Sequence, residues 1–236
     1  TVLENMGGDD EARHDEAADD WAAPNMQDLN TVAIQCIAGP DARIFPQVPG
    51  LPDDAFVHDG QMTKRIVRAA TVAALAPLPG QTLWDLGAGC ASVAIEWLRA
   101  AQDIQGQGAT AIAVEREAAR CDLAAQNAAR LGTPFLDIVH DDTAQAIPAL
   151  ADPDAVFIGG GLSGDGELVS TVWERLRPGG RVVANVVTLE GERALLDAHT
   201  KYGGELTRIA VSHADPVGGL TGWRPSMPVT QWSVAK

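Results

Sequence analysis

Two glycines and two carboxylates carry the most legible chemistry in this chain. The run Thr82-Leu83-Trp84-Asp85-Leu86-Gly87-Ala88-Gly89-Cys90-Ala91-Ser92 is an apolar strand entering Asp-x-Gly-x-Gly, and Ala111-Ile112-Ala113-Val114-Glu115 ends a second strand on an acid. Glycine at 87 and 89 lets the backbone turn sharply and approach a ligand where a Cβ would collide. The helix that follows offers its N-terminal N–H groups to a carboxylate. Glu115 is then placed to take ribose hydroxyls, which makes the set an adenosine-cofactor site. The dinucleotide fingerprint wants a third glycine where Ser92 stands. That difference, with Asp85 ahead of the turn, favours S-adenosylmethionine over NAD.

The elements that must position these groups follow from periodicity. Helix patterns over 63–75, 91–101, 117–131, 144–150, 167–176 and 190–201 alternate with strand patterns over 82–86, 110–114, 135–139, 155–158 and 181–187, and two late strands follow at 206–213 and 229–234. Such alternation implies an α/β fold, a parallel sheet covered by helices on both faces. The late strand pair resembles the antiparallel addition of class I S-adenosylmethionine-dependent methyltransferases. The expected architecture is therefore Rossmann-like, with seven mostly parallel strands and a late antiparallel one. Ligands in such sheets sit outside the carboxyl ends of the strands, and the polar residues collect there: Asp85 to Ser92, Glu115-Arg116, Asp141-Asp142-Thr143, Gly159-Gly160-Gly161 and Asn185 to Thr188. Structural uses compete at each place. Asp142 and Thr188 could cap helices, and the three glycines could form an ordinary loop.

Composition narrows the classes. The 236 residues, 46% hydrophobic, suffice for one catalytic α/β domain with additional sequence. A net charge of −15 argues against a nucleic-acid substrate, which needs a basic face. Residues 1–28 hold nine acids against Arg13, and the stretch 7–22 reads as a solvated, mobile acidic tail. Cys36, Cys90 and Cys121 form no Cys-x-x-Cys pair and no zinc spacing, so no metal or disulfide is expected and a reducing, cytoplasmic compartment is. Neither a signal peptide nor a long apolar span is evident, so no membrane is expected. The chain begins at Thr1, which points to a fragment or processed product.

An ordered set of motifs goes further. Gly50-Leu51-Pro52-Asp53-Asp54-Ala55-Phe56, Met62-Thr63-Lys64, the Asp85–Gly89 loop, Asp154-Ala155-Val156-Phe157-Ile158-Gly159-Gly160, Arg175-Leu176-Arg177-Pro178-Gly179-Gly180-Arg181, Ala184-Asn185-Val186-Val187-Thr188-Leu189-Glu190 and Pro228-Val229-Thr230-Gln231-Trp232 occur in sequence. The set resembles the decarboxylating precorrin C15-methyltransferases of the cobalamin pathway and covers about residues 50–236. Thr1-Val2-Leu3-Glu4-Asn5-Met6-Gly7-Gly8 and Leu29-Asn30-Thr31-Val32-Ala33-Ile34 are similar to the closing segment of a tetrapyrrole methylase, the C5-methylating domain fused upstream in two-domain members. The alternative for this first part is an acidic extension with one orphan strand. The implied organisation is an upstream remnant over 1–40, a linker and N-terminal cleft segment over 41–61, and a methyltransferase domain over 62–236.

The resemblance implies that S-adenosylmethionine methylates C15 of a precorrin macrocycle, with loss of the carboxyl group of the ring C acetate. An electron-rich carbon of the reduced ring is the nucleophile, so no catalytic Cys or metal is required. Met62, Thr63, Ala88, Arg116, Asp142, Thr143, Gly159 and Gly160 would join Asp85, Gly87, Gly89, Ser92 and Glu115 around the cofactor. The polycarboxylate substrate conflicts with an acidic protein unless cations gather at the cleft; Lys64, Arg65 and Arg68, and Arg224 in the Gly218–Pro225 loop, are the candidates. His58, Asp59 and His213 are candidates for proton handling. Asn185 and Thr188 match the family's Asn-x-x-Thr element and would lie against the substrate or the transferred methyl group. The family's Gly-Gly-Ser is Gly159-Gly160-Gly161 here, with Ser163 displaced. A homotetramer is also implied. A methyltransferase acting on RNA or protein, or a non-catalytic cofactor-binding module, would share the cofactor motifs.

Overall fold

A computed structural model describes residues 1–22, 25–102, 108–162 and 166–236. Ser163 lies outside them. The chain divides into two compact units, Thr1–Ile44 and Phe45–Lys236.

The first unit holds a three-stranded antiparallel sheet in which β1 (Val2–Glu4) lies between β2 (Ala12–His14) and β3 (Asn30–Val32). The stretch read as a mobile acidic tail thus contributes a strand. Its reason is local: Glu4 is buried and accepts from the Gln27 N–H at 2.5 Å and from His14 Nε2 at 2.8 Å, so a sparse sheet is fastened by a charged hydrogen-bond pair. The strand Asn30–Val32 is accordingly paired and not an orphan.

In the second unit, α1 (Arg65–Leu75) leads to β4 (Thr82–Leu86), α2 (Ser92–Ala100), β5 (Thr110–Glu115), α3 (Ala118–Arg130) and β6 (Asp137–His140). A short α4 (Thr143–Ala146), β7 (Ala155–Ile158), α5 (Glu167–Arg175), β8 (Arg181–Val186) and α6 (Leu189–Tyr202) continue the alternation. The last elements are β9 (Glu205–Ile209), β10 (Ser212–Val217), β11 (Leu220–Pro225) and β12 (Val229–Ala235).

The seven-stranded sheet has the order β6-β5-β4-β7-β8-β12-β9, in which β12 runs antiparallel to both its neighbours. Side chains alternate across the pleat. Leu83, Phe157 and Val183 pack into one apolar cluster with α1, α2 and α3. Trp84, Ile158 and Ala184 face the opposite cluster, with α5 and α6. Burying both faces explains why the strands read as near-continuous apolar runs.

One expected element differs. The pattern over 206–213 is two strands, β9 and β10, and the supposed 218–225 loop is β11, which pairs with β10 in a separate hairpin from Ser212↔Pro225 to Val217↔Leu220. Gly218-Gly219 closes it, with Gly218 at φ +60°. The Gly-Gly pair is a two-residue hairpin signal, but flanks without hydrophobic alternation, carrying Pro216 and Pro225, disguised it as loop.

Candidate active site

The strand order reverses between β4 and β7, and the loops after these strands touch. A Cβ on Gly87, which has φ +73°, would lie 3.1 Å from the Gly160 nitrogen. Glycine is therefore required here for both conformation and clearance. The result is a crevice at the topological switch point, where open α/β sheets bind ligands. It opens into a cavity of about 1190 Å³. Its size exceeds the roughly 300–1,000 Å³ typical of a single small-molecule pocket.

Glu115 ends β5 on the cavity wall and is itself largely buried. Its Oε2 accepts from the Gly89 N–H at 2.8 Å and its Oε1 from the Glu117 N–H at 3.0 Å, which locks the carboxylate in place with lone pairs to spare. Gly87, Ala88, Gly89 and Ser92 line the same cavity at the start of α2. On the next strand outward, Asp142 and Thr143 follow β6 and join Arg116 on the wall. Asp142 also caps α4, its Oδ1 accepting from the Ala144 N–H at 3.0 Å, so capping and lining coexist in one residue. Met62, Thr63, Gly159 and Gly160 complete the expected cofactor group along the cavity.

Asp85 is the exception. It is buried beneath the glycine loop and not on the wall, with Oδ2 accepting from the Ala94 N–H at 3.0 Å and Oδ1 without a hydrogen-bond partner. It braces the first turn of α2 from below. Burial, aided by the nearby Glu115 charge, pushes its carboxyl up to about 7.

The expected substrate and proton-handling residues separate. Lys64, Arg65, His213 and Asn185 line the cavity. Arg68 does not: it is fully buried, with Nε on Glu96 at 2.7 Å, Nη1 on Asp53 at 3.1 Å and on the Thr63 carbonyl, and Nη2 on the Leu51 carbonyl at 2.5 Å. The expectation that Arg68 meets the substrate fails because the acids that receive it, Glu96 and Asp53, come from distant sequence. Arg224 lies on β11, highly exposed and 3.2 Å from Asp215, off the cavity wall because the expected loop is a hairpin. Thr188 is the N-cap of α6, accepting from the Gly191 N–H at 3.1 Å, and also lies off the wall.

His58 and Asp59 stand outside the lining as well. His58 Nδ1 accepts from the Gly60 N–H at 2.9 Å. Asp59 accepts from the Gln61 N–H at 3.0 Å and pairs with Arg120 at 2.8 Å, and these bonds hold its carboxyl below the usual range. A carboxylate so held is a poor proton donor near neutrality.

Arg120 is a cavity residue that the sequence reading missed. It sits in the first turn of α3, and its position a few residues after the acid-ending strand was the available signal. The apolar positions Val187, Val211, Met227 and Val229 on or beside the late strands were also missed, since strand periodicity cannot distinguish a core face from a cavity wall. Among the described residues, no group of three or more His, Cys, Asp or Glu is arranged to hold a metal, and no helix is long and apolar enough to cross a membrane.

A seven-stranded sheet with an inserted antiparallel strand, a glycine loop after its central strand and an acid ending the neighbouring strand define a class I S-adenosylmethionine-dependent methyltransferase domain. Residues 54–236 match the family model described as "Precorrin methyltransferase domain", and the chain belongs to that family. It is 45% identical over 236 residues to a precorrin-6Y C(5,15)-methyltransferase [decarboxylating] from Sinorhizobium sp, covering all of this chain and 56% of that one. A protein of the same name from Mycobacterium tuberculosis (strain CDC 1551 / Oshkosh) is 43% identical over 239 residues, with all of this chain and 58% of that protein covered. The chain thus spans little more than half the length of these relatives. The crystal structure of the C-terminal domain of precorrin-6Y C5,15-methyltransferase from Rhodobacter capsulatus is 44% identical, with a TM-score of 0.74 over 81% of this chain and all of that one. Fold and family make S-adenosylmethionine the methyl donor. The glycine loop, which a Cβ at residue 87 would force away from the Gly160 backbone, and the fixed Glu115 carboxylate fit that cofactor.

Proposed function

We propose that this chain methylates C15 of a precorrin macrocycle and removes the carboxyl group of its ring C acetate side chain, a step of cobalamin synthesis. The observation that carries this reading is the single cavity joining the glycine–Glu115 cradle to Asn185 and the apolar side chains near the end of the sheet. Bound S-adenosylmethionine supplies an electrophilic methyl group. Glu115 would hold the ribose hydroxyls, and the loop at Gly87–Gly89 with the start of α2 would hold the methionine end.

The macrocycle would lie toward β8 and β12, its flat face on Val187, Val211, Met227 and Val229, with its carboxylates met by Lys64 and Arg65 on the cavity wall at the start of α1. The enzyme then works mainly by holding the ring carbon in line with the methyl group and by excluding water. Decarboxylation draws on the ring as electron sink, and a drier site favours the loss of charge. His213 is the remaining titratable group at that end and the candidate for proton handling.

Residues 1–40 are read as the tail of an upstream C5-methylating domain, 41–61 as linker and cleft segment, and 62–236 as the methyltransferase domain; the greater length of the relatives supports this. Exposed Val217 and Leu220, cross-strand partners at the tip of the β10–β11 hairpin, offer an apolar surface for association into a homotetramer, in the cytoplasm. Incubation with methyl-labelled S-adenosylmethionine and precorrin-6Y is expected to place label in the tetrapyrrole. Label entering only RNA or protein in mixed substrates would reject the reading.

A further inference from the structure

Asn185 meets the cavity, yet its amide is gripped from behind by two residues off the wall. Thr71 on α1 is fully buried, and Gln231, almost buried on β12, is the direct cross-strand partner of Asn185. The Thr71 hydroxyl donates to the Val67 carbonyl at 2.8 Å. A carbonyl can only accept, so the Thr71 oxygen is left purely as an acceptor. It receives Asn185 Nδ2 at 2.7 Å and Gln231 Nε2 at 3.1 Å. The second Gln231 N–H goes to Asn185 Oδ1 at 2.9 Å.

No member of this chain of bonds can reverse alone. Flipping the Asn185 amide would set its oxygen against the Thr71 lone pairs and its nitrogen against a Gln231 N–H. The backbone carbonyl of Val67 therefore dictates, through two buried side chains, which way Asn185 points. After these bonds Asn185 retains one N–H to donate. On the reading that this end of the cavity takes the precorrin, we propose that Thr71 and Gln231 are positioning residues that fix Asn185 as an N–H donor to a carboxylate oxygen of the substrate.

Thr71→Val keeps the side-chain shape and removes the acceptor. The expected result is a loss of about tenfold in kcat/KM for precorrin-6Y, with the Kd for S-adenosylmethionine changed by less than about twofold, and recovery in Thr71→Ser. In an Asn185→Ala background, Thr71→Val should cost nothing more, because it acts only through Asn185. An undiminished loss in that background, an equal loss of cofactor affinity, or no loss at all would overturn the proposal. Absence of turnover by the unsubstituted chain would instead reject the substrate reading. The network is then read directly: hydrogen exchange of the Asn185 side-chain N–H by NMR should accelerate about tenfold or more in Thr71→Val, and an unchanged rate overturns the positioning role.

Discussion

At the residue scale, Glu115 does two jobs with one carboxylate: it ties down the Gly89 and Glu117 N–H groups and keeps acceptor capacity for a ligand. Glu115→Ala should weaken S-adenosylmethionine binding by about 1.5–3 kcal/mol, the value of a charge-assisted hydrogen bond, measured by titration calorimetry; unchanged affinity would contradict the ribose assignment. Asp85 tests a different property. Its carboxyl titrates near 7 in the folded chain and near 4 when unfolded, so between those values the native state holds a proton that the unfolded chain has released. The stability from this group is complete below about pH 4 and is lost as pH rises through about 7. Unfolding midpoints from pH 5 to 8 should therefore fall less steeply in Asp85→Asn than in the parent, and parallel curves would show that Asp85 does not carry the proton. Gly87, Gly89 and Glu115 were legible because their chemistry is local. Arg68 was misread because its partners, Glu96 and Asp53, are set by tertiary packing; for Thr188 the capping alternative holds, its hydroxyl accepting from the Gly191 N–H.

At the element scale, the segment that frames the cavity ahead of α1 is held by the buried Arg68–Glu96 pair. Glu96 on α2 also accepts the Gly50 and Leu51 N–H groups at 2.6 and 2.9 Å, and Arg68 stacks over Phe56 at 4.7 Å. Removing one member strands the other charge in the core. Arg68→Met should cost about 3–5 kcal/mol of stability in denaturant unfolding, whereas a loss below about 1 kcal/mol would mean that the segment is held by other contacts. The strands over 82–86 and 155–158 matched the sequence pattern to the residue, since both faces are buried and the residues are apolar but for Thr82 and Asp85. The hairpin was not legible as strand because its residues are mostly exposed, so no hydrophobic alternation marks it.

At the scale of the whole molecule, the proposed function divides two tasks in space along the sheet. The cradle stands where the strand order reverses, between β4 and β7, and the strands on either side carry Glu115 at one end and Asn185 toward the other. An acidic protein would then receive an acidic substrate through a local cluster of cations, with the field of the remaining surface screened over about 10 Å at ordinary salt. The most direct test of this division of labour is mass spectrometry of precorrin-6Y after incubation with the purified chain, with and without S-adenosylmethionine. A tetrapyrrole that gains one methyl group and loses one carbon dioxide when the cofactor is present is the expected product. An unchanged tetrapyrrole, despite tight cofactor binding, would contradict the assignment of the cavity to a precorrin.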